Sequence, residues 1–207
     1  EVLTEMLQSD MENIRGTMES LDKDAFSMAA ELIQNAKKIY IVGIRSCEPL
    51  ADFLGFYLNM LFDEVHVVRT NSASEIFEQL MRIGAGDVLI GISFPKYSMR
   101  TVKAMELANS RSAGVISITD SIHSPLNLYS SCNLIARSEM ASVVDSLTAP
   151  LSVINALIVA LCLKNQDSLK QSIETLDQLY DDYQIYGRDE MDPSGGEIEI
   201  FHQGSRV

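Results

Sequence analysis

Cysteine is scarce in this chain of 207 residues: Cys47, Cys132 and Cys162 are all it has. Their wide spacing, with no C-x-x-C and no paired histidine, argues against a disulfide framework or a zinc site. It fits a reducing cytoplasm. Basic residues are short as well, 16 Lys and Arg against 29 Asp and Glu, for a formal net charge of -13. The pI is near 4.5. That excess repels phosphate backbones, so this domain is ill suited to grip DNA itself.

No long hydrophobic run exists. The longest, Leu147 to Leu163, is broken by Thr148, Pro150, Ser152 and Asn155. It falls short of a membrane span and reads as a buried helix. The start, Glu1-Val2-Leu3-Thr4-Glu5, is acidic and unlike a signal peptide. It lacks an initiator Met, as expected of a processed product or a fragment with a further module upstream. Catalytic signatures are missing too. Arg45 and Cys47 break any G-x-G-x-x-G after Gly43, which disfavours a dinucleotide. There is no P-loop, no G-x-S-x-G and no Cys–His pair of recognisable spacing. No cofactor and no metal are expected.

What is present is a regular alternation. Leu3, Leu7, Met11, Ile14, Met18 and Leu21 recur three and four apart, an apolar stripe on one helix. Asp22 then looks like a cap for a second helix carrying Phe26, Ala29, Ala30, Ile33 and Ala36. Short β-rich runs follow at 39–42, 65–68, 88–92 and 115–118, with a weaker one at 132–135. Helical segments fall between them near 47–62, 73–83 and 98–112. This is the pattern of βαβ units on a parallel sheet with right-handed crossovers. Helices near 146–164 and 167–183 close the order. The first is apolar nearly all round and is expected to be buried on most sides, in part against a second copy. From Gly187 the composition turns loose and acidic, with a weak strand pattern at Ile198, Ile200 and Phe201. Length and pattern suit one α/β domain with appendages: a helical lead-in at 1–36, a core at 37–186 and a tail at 187–207.

In an open parallel sheet, ligands bind outside the carboxyl ends of the strands. Three loops are therefore informative. After strand one, Gly43 permits a tight turn and Ser46 lies near a helix start, where free N–H groups favour an anion. Spacing alone leaves Ser46 equally readable as a helix cap. After strand three come Ser93, Ser98 and Thr101, with Lys96 and Arg100 beside them. Several hydroxyls at one helix start suit a phosphate, or simply make a polar loop with a capping serine. After strand four, His123 can approach a ligand or merely face solvent. His66 reads as structural, and His202 lies in the tail. Glu48 and Glu139 are either surface acids or general bases.

The loops resemble a known family. Ile92-Ser93-Phe94-Pro95-Lys96-Tyr97-Ser98-Met99-Arg100-Thr101 is similar to a phrase in the SIS (sugar isomerase) domains of RpiR/MurR-type bacterial regulators. Ile39-Tyr40-Ile41-Val42-Gly43 and Ile118-Thr119-Asp120-Ser121 match as well, and the likeness runs from about Leu3 to Leu179. The resemblance implies a three-layer α/β/α sandwich around a five-stranded parallel sheet. It implies a ligand-sensing domain for a phosphorylated sugar or amino sugar, as a homo-oligomer (dimer or tetramer). DNA would be met only through an upstream helix-turn-helix module, and no membrane is involved. It assigns phosphate contacts to Ser46, Ser93, Ser98, Thr101 and Gly43, and sugar contacts to Arg45, Lys96, His123 and Glu139. Sugar-phosphate isomerases of the wider class carry Ser-x-Ser-Gly-Glu-Thr at the loop after strand three. Here Pro95, Lys96 and Tyr97 replace the second Ser, the Gly and the Glu. That weighs against an aldose–ketose isomerase, whose catalytic groups would be Glu48, Glu139 and His123. A domain that only dimerises is the remaining alternative.

Overall fold

The β-branched runs become five strands: β1 Ile39–Gly43, β2 Val65–Val67, β3 Val88–Ile92, β4 Gly114–Thr119 and β5 Cys132–Ile135. A helix follows most of them, so every pairing is parallel, in the order β2-β1-β3-β4-β5. The structure, a computed structural model, describes residues 1–69, 72–140 and 143–183. The tail from Gly187, with the strand pattern at Ile198–Phe201 and His202, lies outside the described residues.

A parallel sheet must bury both faces, and alternation along each strand divides the work. Ile39, Ile41, Ile90, Ile92, Ile116 and Ile118 join one cluster with α2 (Lys23–Gln34), α3 (Glu48–Leu58) and α6 (Thr148–Lys164). Tyr40, Val42, Leu89 and Val115 join a second with α4 (Ala73–Gln79) and α5 (Met99–Ser110). The result is the three-layer α/β/α sandwich. Asp22 caps α2 as expected, its carboxylate accepting from Asp24 N at 3.0 Å and Ala25 N at 2.9 Å. His66 stacks on Tyr40 and sits 3.2 Å from Glu64, a structural placement on the edge strand. Between β4 and β5 the chain makes a single 3-10 turn, Pro125–Leu128.

Two helices depart from the pattern. The apolar stripe of α1 (Val2–Glu19) faces outward: Leu3 is 71% exposed, Met11 57% and Met18 68%. The face turned inward is polar, with Asn13 and Thr17 buried beside Gly16. The reason lies in the chain leaving β5, an edge strand whose backbone groups need partners. Asn13 supplies two: its Nδ2 donates to Glu139 O and its Oδ1 accepts from Glu139 N, both at 3.0 Å. Thr17 Oγ1 accepts from Arg137 N at 2.8 Å, and Asp10 accepts from Ser146 Oγ at 2.6 Å. Spacings of three and four put these residues on one helix face. Gly16 lets the helix come close, since a Cβ there would stand 2.5 Å from Arg137 Nε.

Helix α6 is buried on one side only. Ala149, Val153, Ile154, Leu157 and Leu161 are covered, whereas Val159 and Leu163 are 36% and 46% exposed. Helix α7 (Gln166–Tyr183) buries no residue fully. Among the described residues no single helix is long and apolar enough to cross a membrane.

Asn13→Ala should cost about 2 kcal/mol or more, because it strands a peptide N–H and C=O at once. Urea denaturation tests this; a loss under about 0.5 kcal/mol would show that the α1 anchor carries no stability.

Candidate functional site

Strand order turns back between β1 and β3, which pair from Ile39↔Val88 to Gly43↔Ile92. The chain leaves β1 toward β2 on one side and returns on the other, so the loops after β1 and β3 flank a crevice at the carboxyl edge. They also touch: Cys47, buried on the first loop, receives a backbone hydrogen bond from Phe94 on the second. Burial pushes the Cys47 thiol up, which keeps it protonated and inert.

On the first loop, Gly43 is required by space rather than by a left-handed turn. A Cβ there would lie 2.4 Å from the Cys47 carbonyl oxygen. The left-handed residue is Arg45, at φ 61° and exposed. Ser46 is exposed and caps nothing. Its hydroxyl instead donates to Asp145 Oδ2 at 2.7 Å, 99 residues away in sequence.

The second loop is held by its own hydroxyls. Ser93, buried, accepts from Ser98 N at 3.0 Å, and Ser98 caps α5 by accepting from Thr101 N at 3.4 Å. A hydroxyl that accepts still carries a proton to donate. Neither proton is committed to an acceptor among the described residues. Lys96 takes φ 68°, the conformation ordinarily left to glycine, and its side chain is exposed. Tyr97 donates to Asp120 Oδ1 at 2.8 Å; burial, then this bond, push its hydroxyl up to about 12. Thr101 is fully buried, and its hydroxyl has no partner among the described residues.

The third loop stands beside the second. Thr119 Oγ1 lies 2.9 Å from Ser124 Oγ and 3.2 Å from Asp120 Oδ1. A cleft of about 470 Å³ opens at the carboxyl ends of β3, β4 and β5, lined by Pro95, Asp120, Ser121, Arg137, Ser138, Glu139 and Met140. Glu139 points a largely exposed carboxylate at Arg137 Nη1, 3.6 Å away. A larger groove of about 950 Å³ lies between α7 and the amino end of β1, lined by Ile39, Glu64 and Leu176 among others. It holds none of the candidate site residues read from the sequence, whereas Glu139 lines the carboxyl-edge cleft.

Thus Ser46, Ser93, Ser98 and Gly43 gather at the crevice, and Glu139 lines the neighbouring cleft. His123 is exposed, engages Ser121 only through its backbone amide, and does not line the cleft. Glu48 is exposed at the start of α3 and does not line it either. Sequence reasoning passed over Arg137 and Ser138, although both follow β5 at its carboxyl end. It also passed over Asp145, which no local signal marks.

Residues 32–160 match the family model described as SIS domain. An HTH-type transcriptional regulator of Caldanaerobacter subterraneus subsp. tengcongensis is 26% identical over 186 residues, 86% of this chain and 64% of that protein. The chain therefore spans just under two thirds of that relative. The sugar isomerase domain of an RpiR transcription factor from Sphaerobacter thermophilus superposes with a TM-score of 0.80 at 24% identity, over 84% of this chain and 97% of that one. Vibrio vulnificus NanR, solved with ManNAc-6P, gives 0.75 at 19%, over 86% and 70%. At these identities the solved structures establish the fold.

Thr101→Val should leave the free protein as stable or up to about 1 kcal/mol more stable, since it removes a buried hydroxyl without a partner. Thermal unfolding checks this; a clear loss of stability would mean that the hydroxyl is bonded after all.

Proposed function

The chain belongs to the SIS domain family, and from that premise we propose that it is the ligand-sensing domain of a transcription regulator. The ligand is a phosphorylated sugar or amino sugar, which the domain binds without converting. The observation that carries this is the pair of uncommitted hydroxyl protons on Ser93 and Ser98 at the start of α5, across the crevice from Ser46. A phosphate needs many donors around one small group, and a helix start adds backbone N–H groups to them. The sugar then extends toward Arg137, Ser138 and Glu139 in the cleft. Lys96 and Arg45 are exposed cations at the rim.

The absence of turnover is supported by Tyr97. It stands where isomerase-type sequences place a glutamate, and its hydroxyl is bound to Asp120. A second reading, an aldose–ketose isomerase, is favoured by Glu139, a carboxylate in the cleft within reach of a sugar carbon. DNA recognition belongs to a helix-turn-helix module of the kind that names the curated relative, and the cytoplasm is the compartment that suits such a regulator.

The outward stripe of α1 supports a homodimer. Leu7, Met11, Ile14, Met18 and Leu21 follow a 4-3-4-3 spacing, the seam of a paired helix, and all are exposed in the single chain. Covering it with a second copy removes the exposed apolar patch.

A thermal-shift screen of phosphorylated sugars and amino sugars, with product analysis of each hit, tests the main reading. A stabilising ligand recovered unchanged is expected, and Ser46→Ala with Ser98→Ala should abolish the shift. Conversion of the ligand, lost in Glu139→Gln, would establish the isomerase instead. For the dimer, sedimentation velocity should show two copies, and Met11→Glu with Met18→Glu should give a folded monomer. A wild-type monomer at tens of micromolar would refute the pairing.

A further inference from the structure

Asp145 is the acceptor for the Ser46 hydroxyl, at 2.7 Å. A carboxylate thus occupies the donor that, on the reading above, serves the ligand's phosphate. The two anions cannot share it: like charges at hydrogen-bond range repel, and water screens them only partly in a crevice. The same carboxylate acts on the buried Cys47 thiol next to Ser46, which places its charge at this loop.

Asp145 is also wired to α1. The next residue, Ser146, is buried and donates to Asp10 Oδ1 of α1 at 2.6 Å. Its carbonyl accepts from Ser138 Oγ at 2.8 Å, and Ser138 lines the cleft. Consecutive Cα atoms are held 3.8 Å apart, so Asp145 cannot retreat far without moving Ser146. On the other side, Val143 and Val144 are 92% and 63% exposed and offer little packing to resist the movement.

We propose that Asp145 is a built-in competitor for the ligand's phosphate, and that its displacement is what the site reports to α1. The proposal rests on reading Ser46 as a phosphate donor. In the free protein the carboxylate holds Ser46 and keeps Ser146 bonded to Asp10. A bound phosphate takes the hydroxyl and drives the carboxylate away, and the Ser146 contact to α1 shifts with it. The ligand biases α1 only as far as it favours the released arrangement. Asp145 also sets a threshold, since a weakly charged ligand competes poorly for Ser46.

The experiment is a phosphorus NMR titration of the full chain with inorganic phosphate and, separately, glucose 6-phosphate, together with hydrogen exchange over residues 2–19. Asp145→Asn keeps an acceptor but removes the charge; Asp145→Ala removes both. Each should bind inorganic phosphate about tenfold tighter than wild type, the order expected from removing one nearby like charge. Adding Ser46→Ala should cancel the gain. Exchange in α1 of free Asp145→Ala, which leaves Ser46 no acceptor, should match that of phosphate-saturated wild type. Affinity unchanged in both Asp145 variants, while Ser46→Ala alone weakens binding, would overturn the competitor and leave the phosphate site standing. No effect of Ser46→Ala on either ligand would overturn the phosphate site and the competitor with it. Tighter binding with no change in α1 exchange would overturn the relay.

Discussion

Everything in this molecule follows from five strands that run one way. A parallel sheet cannot turn back through a tight hairpin, so each strand hands on to a crossover that covers a face. All carboxyl ends then emerge along one edge, and helix starts gather there with their unpaired N–H groups. The reversal of order between β1 and β3 opens a crevice at that edge. The serines of the loops after β1 and β3 come together because of this constraint, although almost fifty positions separate them in the chain.

The two loops solve their local problems differently. The Ser93–Ser98 loop is internally tied, hydroxyl to amide and cap to helix, so its hydroxyls keep a fixed place. The Ser46 loop leans on a distant residue, Asp145, and is settled by tertiary contact. Both loops carry a non-glycine residue in the left-handed region, Arg45 and Lys96. That conformation costs about 1 kcal/mol or more apiece, a local strain that the surrounding fold must offset. It leaves two exposed cationic side chains on the loops at this edge.

The inversion of α1 is the other organising feature. An amphipathic helix ordinarily turns its apolar face to the core. Here hydrogen bonds between Asp10, Asn13 and Thr17 and the segment after β5 decide the orientation. Unpaired peptide groups at an edge strand cost more to leave than an exposed leucine, which is common on protein surfaces. The segment that lines the cleft and the helix that presents the outward seam are consequently one mechanical unit.

The sequence by itself determined the strands, their parallel direction and most helix limits, because hydrophobic period and capping are local signals. Asp22 and Ser98 were legible as caps for the same reason, and the strand-end rule placed Ser46, Ser93 and Ser98 at the carboxyl edge. It placed His123 and Glu48 at the same edge, but a loop's position is local while the direction of its side chains is not, and neither lines the cleft. Tertiary structure alone decided which face of α1 turns inward, because the winning partners, Arg137, Glu139 and Ser146, lie more than a hundred residues away. It alone brought Asp145 to Ser46, a contact between two residues whose neighbours in the chain give no hint of each other. Local periodicity records which side chains are apolar; only the packed fold records which backbone groups have been left without a partner.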